Sequence, residues 1–127
     1  MTSLGKYEKR YINSPCIKTA TSYALCLWLT YAVRSASDSR EYLLHAYRLV
    51  YTQLRKNESY LPFYWLRIFF AIELRNFDTA NEMLDNIYPY RNFYKNNQPF
   101  DYKILLFLYA YYNVSNLCYC TLLLDFP

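Results

Sequence analysis

A single glycine, Gly5, in 127 residues is the sharpest absence in this sequence. Glycine supplies positive-φ turns and close backbone approaches, so its scarcity argues against tight β-hairpins and a Rossmann-like sheet. It also removes every glycine-rich loop that could cradle a phosphate. Histidine is equally scarce, with His45 alone. The four cysteines, Cys16, Cys26, Cys118 and Cys120, are too few and too irregularly placed for a secreted disulfide framework. Neither C-x-x-C nor H-x-x-x-H occurs, and Cys118-x-Cys120 with His45 is poor metal spacing. No metal and no other cofactor is therefore expected. The cysteines read as small buried hydrophobes in a reducing compartment, cytoplasmic or nuclear.

Charge is thin as well. The formal net charge is +4, whereas nucleic-acid affinity rests on a dense Lys/Arg stripe. Lys6, Lys9 and Arg10 cluster near the start, and Arg40, Arg48, Arg55 and Lys56 could share one helix side. Glu41 and Glu58 dilute that side, so the charge argues against a nucleic-acid partner. The only acid–base pair worth naming is Glu41 with His45, one helical turn apart. No catalytic motif accompanies it, and neither an enzyme nor a small-molecule substrate is expected.

What the chain does have is apolar and aromatic surface. Residues of hydrophobic type make up 54% and aromatics 21%, with 17 tyrosines, enough for a core and too much for a disordered chain. The length suits one domain. Residues 1–14 are polar and basic and read as a flexible arm, leaving residues 15–127 as the folded domain. Ser14-Pro15 opens a first helix, with serine at the cap and proline at the first helical position. Ile17, Ala20, Ala24, Leu27, Trp28 and Tyr31 then recur at three- and four-residue steps. After Ser35 to Ser39, with Asp38 or Ser39 as cap, a second helix carries Leu43, Ala46, Tyr47, Val50, Tyr51 and Leu54. It closes at Arg55-Lys56-Asn57, where cations suit the negative end of the helix dipole.

Leu61-Pro62 begins a third helix that is apolar almost all round and so expected at the centre. Arg75-Asn76-Phe77-Asp78 is a tight turn, with Asp78 as the expected cap. A fourth helix with Ala80, Met83, Leu84 and Ile87 follows and ends at Pro89. Tyr90 to Pro99 reads as a polar, aromatic loop. A fifth helix runs from about Phe100 to Tyr112, and Leu117 to Leu124 forms a separate short apolar piece. A solenoid normally ends in a polar cap. This apolar end is expected either to tuck back over the fifth helix or to be an edge inside a longer array.

Ile104 to Leu124 is long enough for a bilayer span. Asn113, Ser115 and Asn116 fall mid-segment, where unsatisfied polar groups are costly, so membrane association is the alternative rather than the main expectation.

Two tryptophans set a thirty-seven-residue step. Tyr23-Ala24-Leu25-Cys26-Leu27-Trp28-Leu29 aligns with Tyr60-Leu61-Pro62-Phe63-Tyr64-Trp65-Leu66, and the same step pairs Val50 with Ile87 and Tyr51 with Tyr88. Steps of this size indicate supersecondary units that bury their apolar faces only by stacking. Residues 64–89 resemble a tetratricopeptide-type helix–turn–helix in three features. Aromatic Tyr64-Trp65-Leu66 stands in the first helix, the turn is Arg75-Asn76-Phe77-Asp78, and small Ala80 opens the second helix before Leu84, Ile87 and Pro89. Residues 23–51 resemble it less closely, with Leu43 where the small residue belongs. The family's glycine is absent, Ile68 and Tyr31 standing nearest its position. The family's step is nearer 34 residues.

The resemblance implies an all-α chain of antiparallel helical hairpins stacked as a short tetratricopeptide-like α-solenoid. It also implies a concave groove that holds an extended peptide or a partner helix. The expected role is a non-enzymatic protein–protein interaction module, an adaptor, scaffold or subunit fragment. The candidate partner-binding residues are Tyr23, Arg67, Trp65, Phe69 and Tyr102.

Overall fold

The computed structural model describes residues 3–34 and 39–125, with side chains given as far as residue 120. The helices are α1 (Ser3–Asn13), α2 (Ile17–Val33), α3 (Arg40–Lys56), α4 (Leu61–Glu73), α5 (Phe77–Ile87), α6 (Arg91–Asn97) and α7 (Pro99–Asp125). A 3₁₀ turn, Tyr88–Tyr90, links α5 to α6. No strand occurs among the described residues, so the all-α expectation holds. The chain divides into two compact units, residues 1–70 and 71–127.

In the first unit α1 packs on α2, and α2 packs on α3. The start of α2 lies at the end of α3, where Ile17 and Lys56 line one recess. The end of α2 meets the start of α3, where Arg34 Nη1 donates to Tyr42 Oη at 3.1 Å. The two helices therefore run antiparallel. Ala20, Tyr23, Ala24 and Leu27 on α2 face Leu43, Ala46, Leu49, Val50, Gln53 and Leu54 as the buried stripes. Of the stripe expected on α3, Tyr51 is corrected: it is 39% exposed, and Leu49 and Gln53 are buried in addition. Asp38 lies outside the described residues, and Ser39 stands at the α3 N-cap without a side-chain capping bond. The C-terminal closure with Arg55, Lys56 and Asn57 is found as expected.

Residues expected as a flexible arm form α1 instead. Leu4, Tyr7 and Tyr11 recur at helical steps and are half-buried. The Tyr11 ring lies 5.9 Å from that of Tyr23, and its hydroxyl accepts from Gln53 Nε2 at 2.6 Å. A buried amide needs a partner, so this bond ties the N-terminal segment to α3. Helix α2 starts later than Ser14-Pro15 suggested. Cys16 is its N-cap, the Cys16 N–H donates to Thr19 Oγ1 at 3.0 Å, and Thr19 Oγ1 donates to the Ser14 carbonyl at 2.8 Å.

Helix α4 is apolar nearly all round, and Phe63, Trp65, Ile68, Phe70, Ala71 and Ile72 are buried. Phe63 and Phe70 are fully buried, each contributing about 1.5–3 kcal/mol by removal from water. The helix ends in a Schellman motif. Asn76 N–H donates to the Ala71 carbonyl at 2.8 Å and Arg75 N–H to that of Ile72 at 3.0 Å. The left-handed position of the motif, normally glycine, is Arg75 at φ 64°. Asn76 is then the N-cap of α5, and Asp78 lies inside its first turn rather than at the cap.

In the second unit α5 and α6 both pack on α7. Phe77, at the start of α5, meets Tyr112 and Tyr119, whereas the Leu84 carbonyl accepts from Tyr109 Oη at 2.8 Å. That order makes α5 and α7 antiparallel. The expected loop over 90–99 is mostly α6, held by the buried ring of Tyr94 and by Asn97 Nδ2 donating to the Phe93 carbonyl at 3.0 Å. The expected break between a fifth helix and a separate apolar piece is absent, because α7 is continuous from Pro99 to Asp125. Among the described residues no helix is long and apolar enough to cross a membrane.

Candidate interaction surface

The five residues selected from sequence occupy different environments. Tyr23 is 4% exposed and packs against Tyr11 and, edge-on at 5.4 Å, against His45. Burial, joined by the charge of Glu8, pushes its phenol up to about 12. Trp65 is also 4% exposed, with the Tyr64 ring 5.7 Å away at a near-perpendicular angle. Both are core residues. Phe69 is half-buried, edge-on to Trp28 at 5.6 Å.

Arg67 is half-buried beneath the exposed face of Tyr51, its guanidinium 4.5 Å from the ring centroid. Arg55 approaches the same ring at 6.0 Å. Such cation–π contacts are worth about 0.5–1 kcal/mol at exposed sites and more when desolvated. Arg67 Nε and Trp28 Nε1 are buried donors with no acceptor among the described residues. Tyr102 belongs to the second unit, half-buried on α7.

The recesses of the first unit lie elsewhere. Two open depressions of about 560 and 550 Å³ share Ile17, Lys56 and Asn57, at the start of α2 and the end of α3. Lys18 and Arg55 add cations, and Cys16 adds an exposed thiol. The hydrogen bond from the Thr19 side chain holds that thiol below its usual range. Glu41 and His45 are exposed on α3 and line neither depression. Among the described residues no group of three or more His, Cys, Asp or Glu is placed to hold a metal ion.

Helix α7 carries the feature that sequence reasoning missed. Its inner face buries Leu105, Leu108 and Ser115. Tyr111 on that side donates to Glu73 Oε1, and burial together with this carboxylate pushes the phenol up to about 12. The opposite face is also apolar yet stands in solvent. Phe100 is 76% exposed, Phe107 55%, Val114 60% and Leu117 68%, with Leu106 beside them at 49%. Phe107 stacks on Tyr111 at 5.6 Å and 14°, which fixes its ring along the helix. A helix that is apolar all round normally has both sides covered. The seven-residue step linking Phe100, Phe107 and Val114 was the available signal, hidden because the segment read as two pieces.

The geometry offers apolar helix-packing surface and basic-aromatic pairs. No protein-family model, no curated protein and no solved structure matches this chain.

Proposed function

We propose that the protein is a non-enzymatic protein–protein interaction module whose exposed α7 face packs against a partner helix. The observation that carries this reading is the row Phe100, Phe107, Val114 and Leu117, each more than half exposed along one side of a single helix. Contiguous apolar surface of this kind is rare on soluble monomers and marks contact sites. Recognition by an apolar helix face proceeds through anchors at three-, four- and seven-residue steps, and this row steps by seven, seven and three. The antiparallel hairpin α2–α3 suits a tetratricopeptide-like stack, and that arrangement belongs to the same proposal. Within it the binding surface moves from the aromatic groove of Trp65 and Tyr23 to α7, while Arg67, Phe69 and Tyr102 remain half-buried residues at which a partner could make secondary contacts.

The test is the native size of the tagged chain in gentle extracts of its own cells, beside a Phe107→Glu/Leu117→Glu variant. The wild type is expected in a complex larger than one 15.4 kDa chain, and the variant is expected to leave it while keeping its helical circular dichroism. An unchanged complex in the variant, or a wild type that runs as one chain, overturns the reading.

A further inference from the structure

We infer that the partner of the α7 face is α7 of a second copy of this chain, packed antiparallel. The inference rests on the preceding reading and supplies its occupant. Phe100, Phe107 and Val114 recur at seven-residue steps, and Lys103, Ala110 and Leu117 recur at the same step three residues later. All six are exposed. This alternation of three and four is the seam of a two-helix coiled coil. The seam from Phe100 to Leu117 spans about 26 Å of helix.

Size and charge both point to a second copy. The exposed apolar side chains of the seam and Leu106 offer on the order of 600 Å² per chain, and two copies reach the roughly 1,200 Å² at which specific interfaces begin. Between Ile104 and Leu124 the sequence has no charged residue. Lys103 is the one charge of the seam, so two identical faces meet little repulsion wherever the pairing holds the two lysines apart.

Direction follows from residue size. Antiparallel pairing centred between Phe107 and Ala110 sets the Phe107 ring opposite Ala110 of the second copy, twice, so each large side chain enters a space left by a small one. It also sets Phe100 opposite Leu117, and the Lys103 stem opposite Val114. The two Lys103 ammonium groups then lie about 16 Å apart along the seam, beyond the roughly 10 Å screening length at 0.1 M salt. Parallel pairing would oppose Phe107 to Phe107, leave a void between two Ala110 methyls and bring the Lys103 charges together. Antiparallel helix dipoles add a favourable contribution of the same sign.

Sedimentation of the full chain over a range of concentrations tests this, with three variants chosen from exposed positions. The wild type is expected to reach twice the one-chain mass. Phe107→Glu is expected to raise the dissociation constant by about thirtyfold or more, as loss of a central anchor does. Ala110→Phe fills the space that receives Phe107 and is expected to raise it by at least about tenfold, while Asn81→Glu on α5 leaves it unchanged. A one-chain mass at every concentration overturns the inference, as does a dimer that Phe107→Glu and Ala110→Phe leave intact. If the chain is monomeric alone yet its cellular complex is lost in Phe107→Glu/Leu117→Glu, self-pairing fails and the interaction reading stands. If neither association exists, both fail.

Discussion

The two units of this chain differ in how they spend their aromatic and charged residues. Residues 1–70 carry ten Lys/Arg against four Asp/Glu, whereas residues 71–127 carry four against six. The first unit is thus net +6 and the second net −2. In the first unit the aromatic rings are mostly buried or half-buried, and guanidinium groups lie over some of them, as at Tyr42 with Arg34 and Tyr51 with Arg67. Tyr51 is the one large aromatic among the described residues there that counts as exposed. In the second unit Tyr88, Tyr90, Phe93, Phe100, Phe107 and Tyr119 are all exposed. Cations shield apolar rings from water cheaply by lying across them. The same contact occurs in the second unit, with Arg91 3.8 Å from the Tyr88 ring and Arg75 6.0 Å from that of Tyr119. The lesson is that the two units differ in how much aromatic surface they leave exposed rather than in aromatic content.

The comparison breaks first at the cores. Phe63→Ala in the first unit should cost about 3–5 kcal/mol, and Leu84→Ala in the second about 2–5 kcal/mol, because both side chains are fully buried. Urea unfolding followed by circular dichroism checks both. A loss below about 1 kcal/mol at either site would contradict the packing described for that unit.

Alkaline pH probes one phenol in each unit, buried Tyr23 and half-buried Tyr111. Tyr23 and Tyr111 are each raised to about 12, by burial first. A raised phenol stays protonated in the fold while the unfolded chain ionises near 10. The stability it contributes is complete below about pH 10 and is lost as pH rises towards about 12. Tyr23→Phe and Tyr111→Phe should each flatten that decline, measured as the unfolding midpoint between pH 9 and pH 12. Variants that decline as steeply as the wild type would show that these phenols are not buried as described.

A smaller effect sharpens the account of α1. Tyr11→Phe removes the acceptor for Gln53 Nε2, whose residue is 5% exposed, and should cost about 1–3 kcal/mol. A loose arm would give no change. The smallest expected effect has the opposite sign. Arg75→Gly relieves a left-handed backbone, worth about 1 kcal/mol, but gives up the guanidinium that lies 6.0 Å from the Tyr119 ring. A net gain of about 0.5 kcal/mol is expected, seen as a slightly higher thermal midpoint. A clear loss would mean that Arg75 matters more for Tyr119 than for the turn.

Much of the fold was legible in the sequence, and the exceptions have physical causes. The starts of α3 at Arg40 and of α5 at Phe77 keep the thirty-seven-residue step. The tryptophans that announced the step do not occupy equivalent places. Trp28 lies late in α2 and is half-buried, whereas Trp65 lies in the first half of α4 and is buried. The α1 helix was missed because its polar composition outweighed the spacing of Leu4, Tyr7 and Tyr11. Asparagine-rich α6 was missed because its order comes from burying Tyr94, a tertiary effect that local preference does not carry. Arg75 in a glycine position was illegible for the same reason.

The site was the least legible part. Tyr23 and Trp65 were chosen as aromatic residues near the repeat, and aromatic type alone does not distinguish core from surface. On α7 the inner and outer faces are both apolar, so beyond the seven-residue step of Phe100, Phe107 and Val114 periodicity gives no amphipathic signal, and packing shows which side is open.

The proposal stands or falls on whether the exposed α7 face is the principal protein-contact surface. Two valines allow a matched test, Val114 at 60% exposed and Val33 at 80%. A photo-crosslinking amino acid would replace each in turn in the full chain, with irradiation in its own cells. The account predicts a discrete protein adduct from position 114 and none from position 33. Adducts from position 33 alone, or from neither position, would contradict it.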